Sequence, residues 1–283
     1  MIRAVKRVWR SFRTGLAFLY FWVGGTIIGW VLLPILAFRM RRLTPGERLL
    51  RCQEFVGRGF MVFHDYMRNR NLVMFDPREV EAKLPDHPCV LIANHPTLVD
   101  VTAVLSVYHR VVCVAGGYYF KLPLVRPLLR SCGHIDGGDG SSMAGAAVMQ
   151  AALEHLAAGR SVLIFPEGTR SPPGGLREFR RGAFEIACRA RVPILPVFIT
   201  CDPPALMKGV PWYKFPMPRV EFRVNELAPV SVEAFNSDAR ALRDHFQEMY
   251  VEHLAAFHAA AAERARPQAA QDGALTLSSE TSP

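Results

Sequence analysis

The chain has 283 residues, half of them hydrophobic, with a mean hydropathy of +0.12 and a net charge of +9. That length suffices for one core of roughly 200 residues and a smaller appended element. Ten of the 34 Lys and Arg, but only one of the 25 acids, fall within residues 1–51, leaving 24 of each for the remainder. The positive excess therefore collars one apolar segment. This favours an anionic lipid surface over nucleic acid, since each cation near such a surface contributes about 1 kcal/mol.

In chain order, Gly15 to Phe38 comes first, a run without a charged residue. It meets the roughly 20-residue requirement for crossing hydrocarbon. Cations flank both ends, and Gly24, Gly25, Gly29 and Pro34 interrupt it. Two readings stay open, a span and a hairpin dipping into one leaflet. Residues 45–75 alternate charge with apolar bulk and read as an amphipathic helix. Together residues 1–75 read as a membrane anchor.

A main domain follows over residues 76–262. The runs 89–94, 110–115, 161–166 and 193–199 are short, apolar and rich in Val and Ile. Helical stretches lie between them near 98–108, 141–159 and 175–191. Buried strands alternating with helices imply an α/β fold, a mostly parallel central sheet flanked by helices. Residues 219–225 add a later strand with true alternation, and a helix follows over about 237–262. Residues 263–283, rich in Ala and Ser, read as a disordered tail. The six cysteines show no C-x-x-C pair and sit mostly in apolar runs, as buried thiols of a reducing compartment do. No His/Cys spacing offers a zinc site, so no metal is expected.

Two segments carry chemistry. Asn94–Asp100 reads NHPTLVD, with His95 and Asp100 separated by four residues. If a helix starts at Pro96 or Thr97, the carboxylate turns back to the imidazole and holds one tautomer. A histidine so held can take the proton of an alcohol attacking a thioester carbonyl. Phe165–Ser171 reads FPEGTRS, again at the end of a buried strand, and ligands of open parallel sheets bind beyond such ends. Trp212 and Tyr213, in a Pro-rich loop, are candidates to line an acyl groove.

NHPTLVD, FPEGTRS and then Val192–Val197 (VPILPV), in that order and spacing, resemble the glycerolipid acyltransferase family of the lysophosphatidate (1-acyl-sn-glycerol-3-phosphate) type. The resemblance covers roughly residues 85–225. It implies an α/β fold behind an N-terminal two-helix membrane element, with His95 and Asp100 as catalytic dyad. It implies further that Glu167, Gly168, Thr169 and Arg170 bind the acceptor's polar head, and that Pro196 shapes the site. The family's second motif is matched by Cys132–Gly140, but Gly137 stands where its phosphate-contacting arginine belongs. Lys121, Arg126 or Arg181 is expected to compensate.

The resulting expectation is an O-acyltransferase of phospholipid biosynthesis. It transfers a fatty acyl group from acyl carrier protein or CoA to a lysophospholipid-type hydroxyl and needs no cofactor. Its expected place is the bacterial inner membrane, with the catalytic domain on the cytoplasmic face. The loss at Gly137 keeps open an acceptor without phosphate, such as a lyso-ornithine lipid or an aryl-polyene-linked lipid. A non-catalytic membrane lipid-binding protein and a thioester hydrolase are the rival readings.

Overall fold

A computed structural model describes the backbone of residues 2–279 and the side chains of residues 4–264. Helix α1 (Ile2–Ile27) runs through a π turn (Ile28–Leu32) into α2 (Leu33–Arg39). Residues 15–38 thus form one helical run, not a re-entrant hairpin. Pro34 lacks an N–H and clashes with the preceding turn, and the chain absorbs it by widening there: the Leu33 N–H reaches back to the Ile28 carbonyl. Gly29 lies in the same turn, where a Cβ would come within 3.3 Å of the Leu128 backbone.

The reversal falls at residues 40–44. Thr44 and Glu47 then form a capping box that starts α3 (Pro45–Asn69), shorter at its C-terminus than the 45–75 expected. Helix α3 runs back along α1. Phe21 meets Phe63 with ring centroids 5.3 Å apart, and Tyr20 stacks on Tyr66 at 5.1 Å. Among the described residues one helix, Ala4–Arg39, is long and apolar enough to cross a membrane. Its outward face carries Trp9, Phe12, Leu16, Leu19, Val23 and Trp30, all exposed and spaced three to seven residues apart.

The α/β domain holds seven strands in the order β1-β7-β6-β2-β5-β3-β4. These are β1 (Val73–Met74), β2 (Val90–Ala93), β3 (Val112–Ala115), β4 (Ile135–Asp136), β5 (Val162–Ile164), β6 (Ile194–Asp202) and β7 (Val220–Glu226). Among the described strands β6 and β7 pair antiparallel, and the other neighbours pair parallel. Alternate residues of β2 feed two cores: Leu91 and Ala93 pack with α3 and α4 (Asp100–Val107), Val90 and Ile92 with helices on the opposite face. Those helices are α7 (Ser142–Ala157), α8 (Gly182–Ala190) and α9 (Ala239–Ser279). Burial on both faces explains why these strands read as continuous apolar runs.

Strands β1 and β4, of two residues each, gave no periodic signal, nor did the short helices α5 (Gly117–Lys121) and α6 (Arg126–Ser131). Helix α8 begins at Gly182 rather than near 175, because Pro172, Pro173, Gly174 and Gly175 keep the preceding segment irregular. The backbone of α9 continues through Ser279, into the stretch read as a tail, and residues 280–283 lie outside the described residues.

Candidate active site

The middle of the sheet's carboxyl edge, where β2 and β5 end beside the longer β6, gathers the polar residues of both motifs. His95 follows β2 after a single residue, Asn94. Its Nδ1 lies 2.7 Å from Asp100 Oδ2, and the Asp100 side chain is fully buried while His95 remains 17% exposed. Helix α4 begins at Asp100 itself, later than the Pro96 or Thr97 start expected. The reason is local. The Asp100 carboxylate accepts the Thr97 N–H at 2.7 Å and the Thr97 hydroxyl, closing a turn over 97–100 before the helix can form. Two donors of Thr97 thus hold one carboxylate against one imidazole. His95 Nε2 makes no hydrogen bond among the described residues, and the ring lies over Phe165 with centroids 4.5 Å apart.

Glu167 follows β5. It is 2% exposed, and its Oε1 accepts the His95 N–H at 3.0 Å and the Ser171 hydroxyl at 2.6 Å. Its Oε2 accepts the Arg177 N–H at 2.8 Å, while the Ser171 N–H donates to the His95 carbonyl at 2.7 Å. Glu167, expected at the acceptor's polar head, faces inward. Its oxygens are occupied by the protein's own donors, and it ties the FPEGTRS loop to the backbone of His95. Gly168 takes φ +70°, a left-handed conformation, and a Cβ there would meet the Arg180 Nε at 2.8 Å. Arg170 donates to the Leu206 carbonyl at 3.1 Å, and Thr169 accepts from Lys208 Nζ at 3.0 Å. Arg170, Arg177, Arg180 and Lys208 meet no carboxylate within 4.0 Å among the described residues, so the mouth is cationic.

Behind the motifs, Asn94 clamps β6 with its side chain, donating to the Ile199 carbonyl at 2.8 Å and accepting its N–H at 2.7 Å. The Tyr250 hydroxyl of α9 shares its one hydrogen between the Ile92 and Val197 carbonyls, each 3.0 Å away, and accepts the Val197 N–H at 3.1 Å. Burial pushes that hydroxyl's pKa upward, so it stays protonated and fixed.

Lys121 and Arg181 stand apart. Lys121 ends α5 beyond β3, near Asp139. Arg181 precedes α8 and lines an open cleft of about 380 Å³ with Glu178, Phe179, Arg180 and Arg243. Among the described residues no hydrogen bond joins either to His95 or Asp100. Near Lys121 the backbones touch: a Cβ on Gly117 would lie 2.5 Å from the Gly138 carbonyl oxygen, and one on Gly137 would lie 2.9 Å from the Ala115 oxygen. The place of the missing arginine is thus closed to any side chain without a shift. Sequence reasoning missed Arg180, Lys208 and Ser171 as neighbours of the site. Arg180 and Lys208 lie outside the motifs, on segments brought in only by folding.

A model of the acyltransferase family matches residues 76–200. That stretch is thus similar to the acyltransferase family. A chloroplastic 1-acyl-sn-glycerol-3-phosphate acyltransferase of Brassica napus is 30% identical over 112 residues, 40% of this chain and 33% of that protein. The human beta enzyme of the same name is 29% identical over 157 residues, 55% of each chain. One from Pseudomonas aeruginosa is 30% identical over 133 residues, 44% of this chain and 49% of that protein. The aligned region thus spans a third to just over half of these relatives' lengths. The fold matches the crystal structure of the 1-acyl-sn-glycerophosphate acyltransferase PlsC of Thermotoga maritima, with a TM-score of 0.65 and 24% identity, covering 88% of this chain and 98% of that one.

Proposed function

We propose that this protein belongs to the glycerolipid acyltransferase family and is a membrane-bound O-acyltransferase that esterifies the hydroxyl of a lysophospholipid-type acceptor, drawing the acyl group from acyl-CoA or acyl carrier protein. The observation that carries the reading is the 2.7 Å contact between His95 Nδ1 and the buried Asp100 carboxylate, with Nε2 left free. Asp100 keeps the proton on Nδ1, so Nε2 is the basic nitrogen. As the acceptor oxygen attacks the thioester carbonyl carbon, Nε2 takes its proton. The C–S bond then breaks, and the imidazolium returns the proton to the leaving thiolate. The thioester is already activated, so no covalent enzyme intermediate is needed. Arg170, with Thr169 and Gly168 beside it, positions the acceptor head, and Glu167 positions His95 through its backbone N–H. Lys121 and Arg181 serve as outer cations that draw anionic substrate toward the mouth. Residues 1–75 anchor the protein, residues 76–262 form the acyltransferase domain, and that domain works on the cytoplasmic face of the inner membrane.

A second acceptor class is favoured by one feature, the closed backbone at Gly137. A phosphate partner is lost there, which suits an amphiphile without phosphate, such as a lyso-ornithine lipid. The test is thiol release from acyl-CoA and from acyl carrier protein by the full-length protein, with lysophosphatidate, with lyso-ornithine lipid and with neither. Release that needs an acceptor, with the acylated lipid seen by mass spectrometry, supports the transferase and names its class. Release into water alone makes the protein a hydrolase, and no release with any donor makes it a lipid-binding protein.

A further inference from the structure

The loop between β6 and β7 presents Trp212, Tyr213 and Met217 to solvent at 46, 52 and 38% exposure. Large apolar side chains so placed are costly in water unless something covers them. The loop is interleaved with cations. Lys208, Lys214 and Arg219 are exposed, and none meets a carboxylate within 4.0 Å among the described residues. Aromatic rings with an apolar body and a polar edge, mixed with lysine and arginine, form the composition that settles at the headgroup level of a bilayer.

The loop is also continuous with the apolar helix. Arg10 donates to the Pro218 carbonyl at 2.7 Å and Ser11 to the Tyr213 carbonyl at 2.8 Å. The Trp212 ring lies 3.2 Å from where a Cβ on Gly15 would stand, and its centroid is 5.9 Å from that of Phe18. At its other end the same loop forms part of the candidate mouth. The Leu206 carbonyl accepts from Arg170 and from the Leu98 N–H, each at 3.1 Å, and Lys208 reaches Thr169.

We infer that residues 207–219 are a second membrane-docking element, separate from α1, that inserts Trp212 and Tyr213 into the headgroup layer of an anionic bilayer. This rests on the membrane-bound reading above and adds to it. One loop then touches lipid at its tip and the candidate mouth at its base, so docking brings the mouth to the lipid plane. On this reading the pair meets lipid headgroups, in place of the acyl groove expected for it.

The test uses the full-length chain with Trp9, Trp22 and Trp30 replaced by Phe, leaving Trp212 as the sole indole. It is mixed with phosphatidylglycerol-containing vesicles whose acyl chains carry bromine. Insertion predicts roughly twofold or greater quenching of Trp212 fluorescence, as expected for an indole at the interface. Should the triple replacement not fold, the W212S/Y213S variant in the otherwise native chain is compared with the native protein by vesicle flotation, and about tenfold weaker binding is expected. Vesicle-bound protein with unquenched Trp212, or a double variant that binds like the native protein, overturns the loop's role while leaving the α1 anchor standing. Failure of the native protein to bind vesicles overturns both.

Discussion

Two stretches of the same sheet edge solve the same packing problem in opposite ways. Where β2 and β5 end, polar side chains fill the gap: Asp100, Glu167, Asn94 and Ser171 are buried, and each is hydrogen-bonded. Where β3 and β4 end, the gap closes by direct backbone approach, Gly117 against Gly138 and Gly137 against Ala115. The first arrangement costs desolvation that its hydrogen bonds must offset, which is the pattern of a preorganised site. The second costs little and leaves no room for a side chain at position 137. The proposed function accordingly puts the chemistry at the β2–β5 junction and treats the β3–β4 edge as a wall.

Substitutions can break that contrast. Asp100→Asn keeps an acceptor for Thr97 but no longer favours the proton on His95 Nδ1. We expect acyl transfer to fall about 10²–10⁴-fold with the melting temperature nearly unchanged, read by initial rates and by circular dichroism. Glu167→Ala is expected to hurt both quantities, because the His95 and Arg177 N–H groups and the Ser171 hydroxyl lose their acceptor at about 1–3 kcal/mol per buried group. A Glu167→Ala protein of native stability and rate would show that the loop does not position His95. Gly137→Arg tests the wall. Restoring the family's side chain should yield no faster turnover of lysophosphatidate and should destabilise the fold by about 1–3 kcal/mol, because the Cβ meets the Ala115 oxygen.

The smallest effect concerns the core behind the edge. Burial lowers the pKa of His64 to about 3 and that of His134 to about 4. Both stay neutral in the fold while the unfolded chain takes up protons below its ordinary value of 6.5. Their contribution is intact above that pH and is lost as pH falls toward the folded values. At pH 5 each should have lost about 2 kcal/mol relative to pH 7. His64→Gln should therefore flatten roughly half of this histidine-linked part of the fall, measured by denaturant midpoints at the two pH values.

Much of this arrangement was legible beforehand where periodicity and length were strong. The Val- and Ile-rich runs became β2, β3, β5 and β6, and the H-x-x-x-x-D spacing brought His95 and Asp100 within hydrogen-bonding reach. What escaped has physical reasons. Two-residue strands such as β4 carry no period, and α8 starts late because four Pro and Gly residues precede it. The inward role of Glu167 was hidden because its partners are mostly backbone N–H groups, which every sequence possesses. Gly137 was readable as a missing arginine, but its close approach to Ala115 is a property of the folded β3–β4 edge alone.

The most direct test of the account is single-turnover acyl transfer by His95→Ala beside the native protein, with matched melting temperatures and a saturating acceptor. Removing a base that accepts the hydroxyl proton should slow ester formation about 10²–10⁴-fold while thioester and acceptor still bind. A folded His95→Ala protein that forms the ester at the native rate would contradict the assignment of His95 as the base and, with it, the reading of the whole β2–β5 junction.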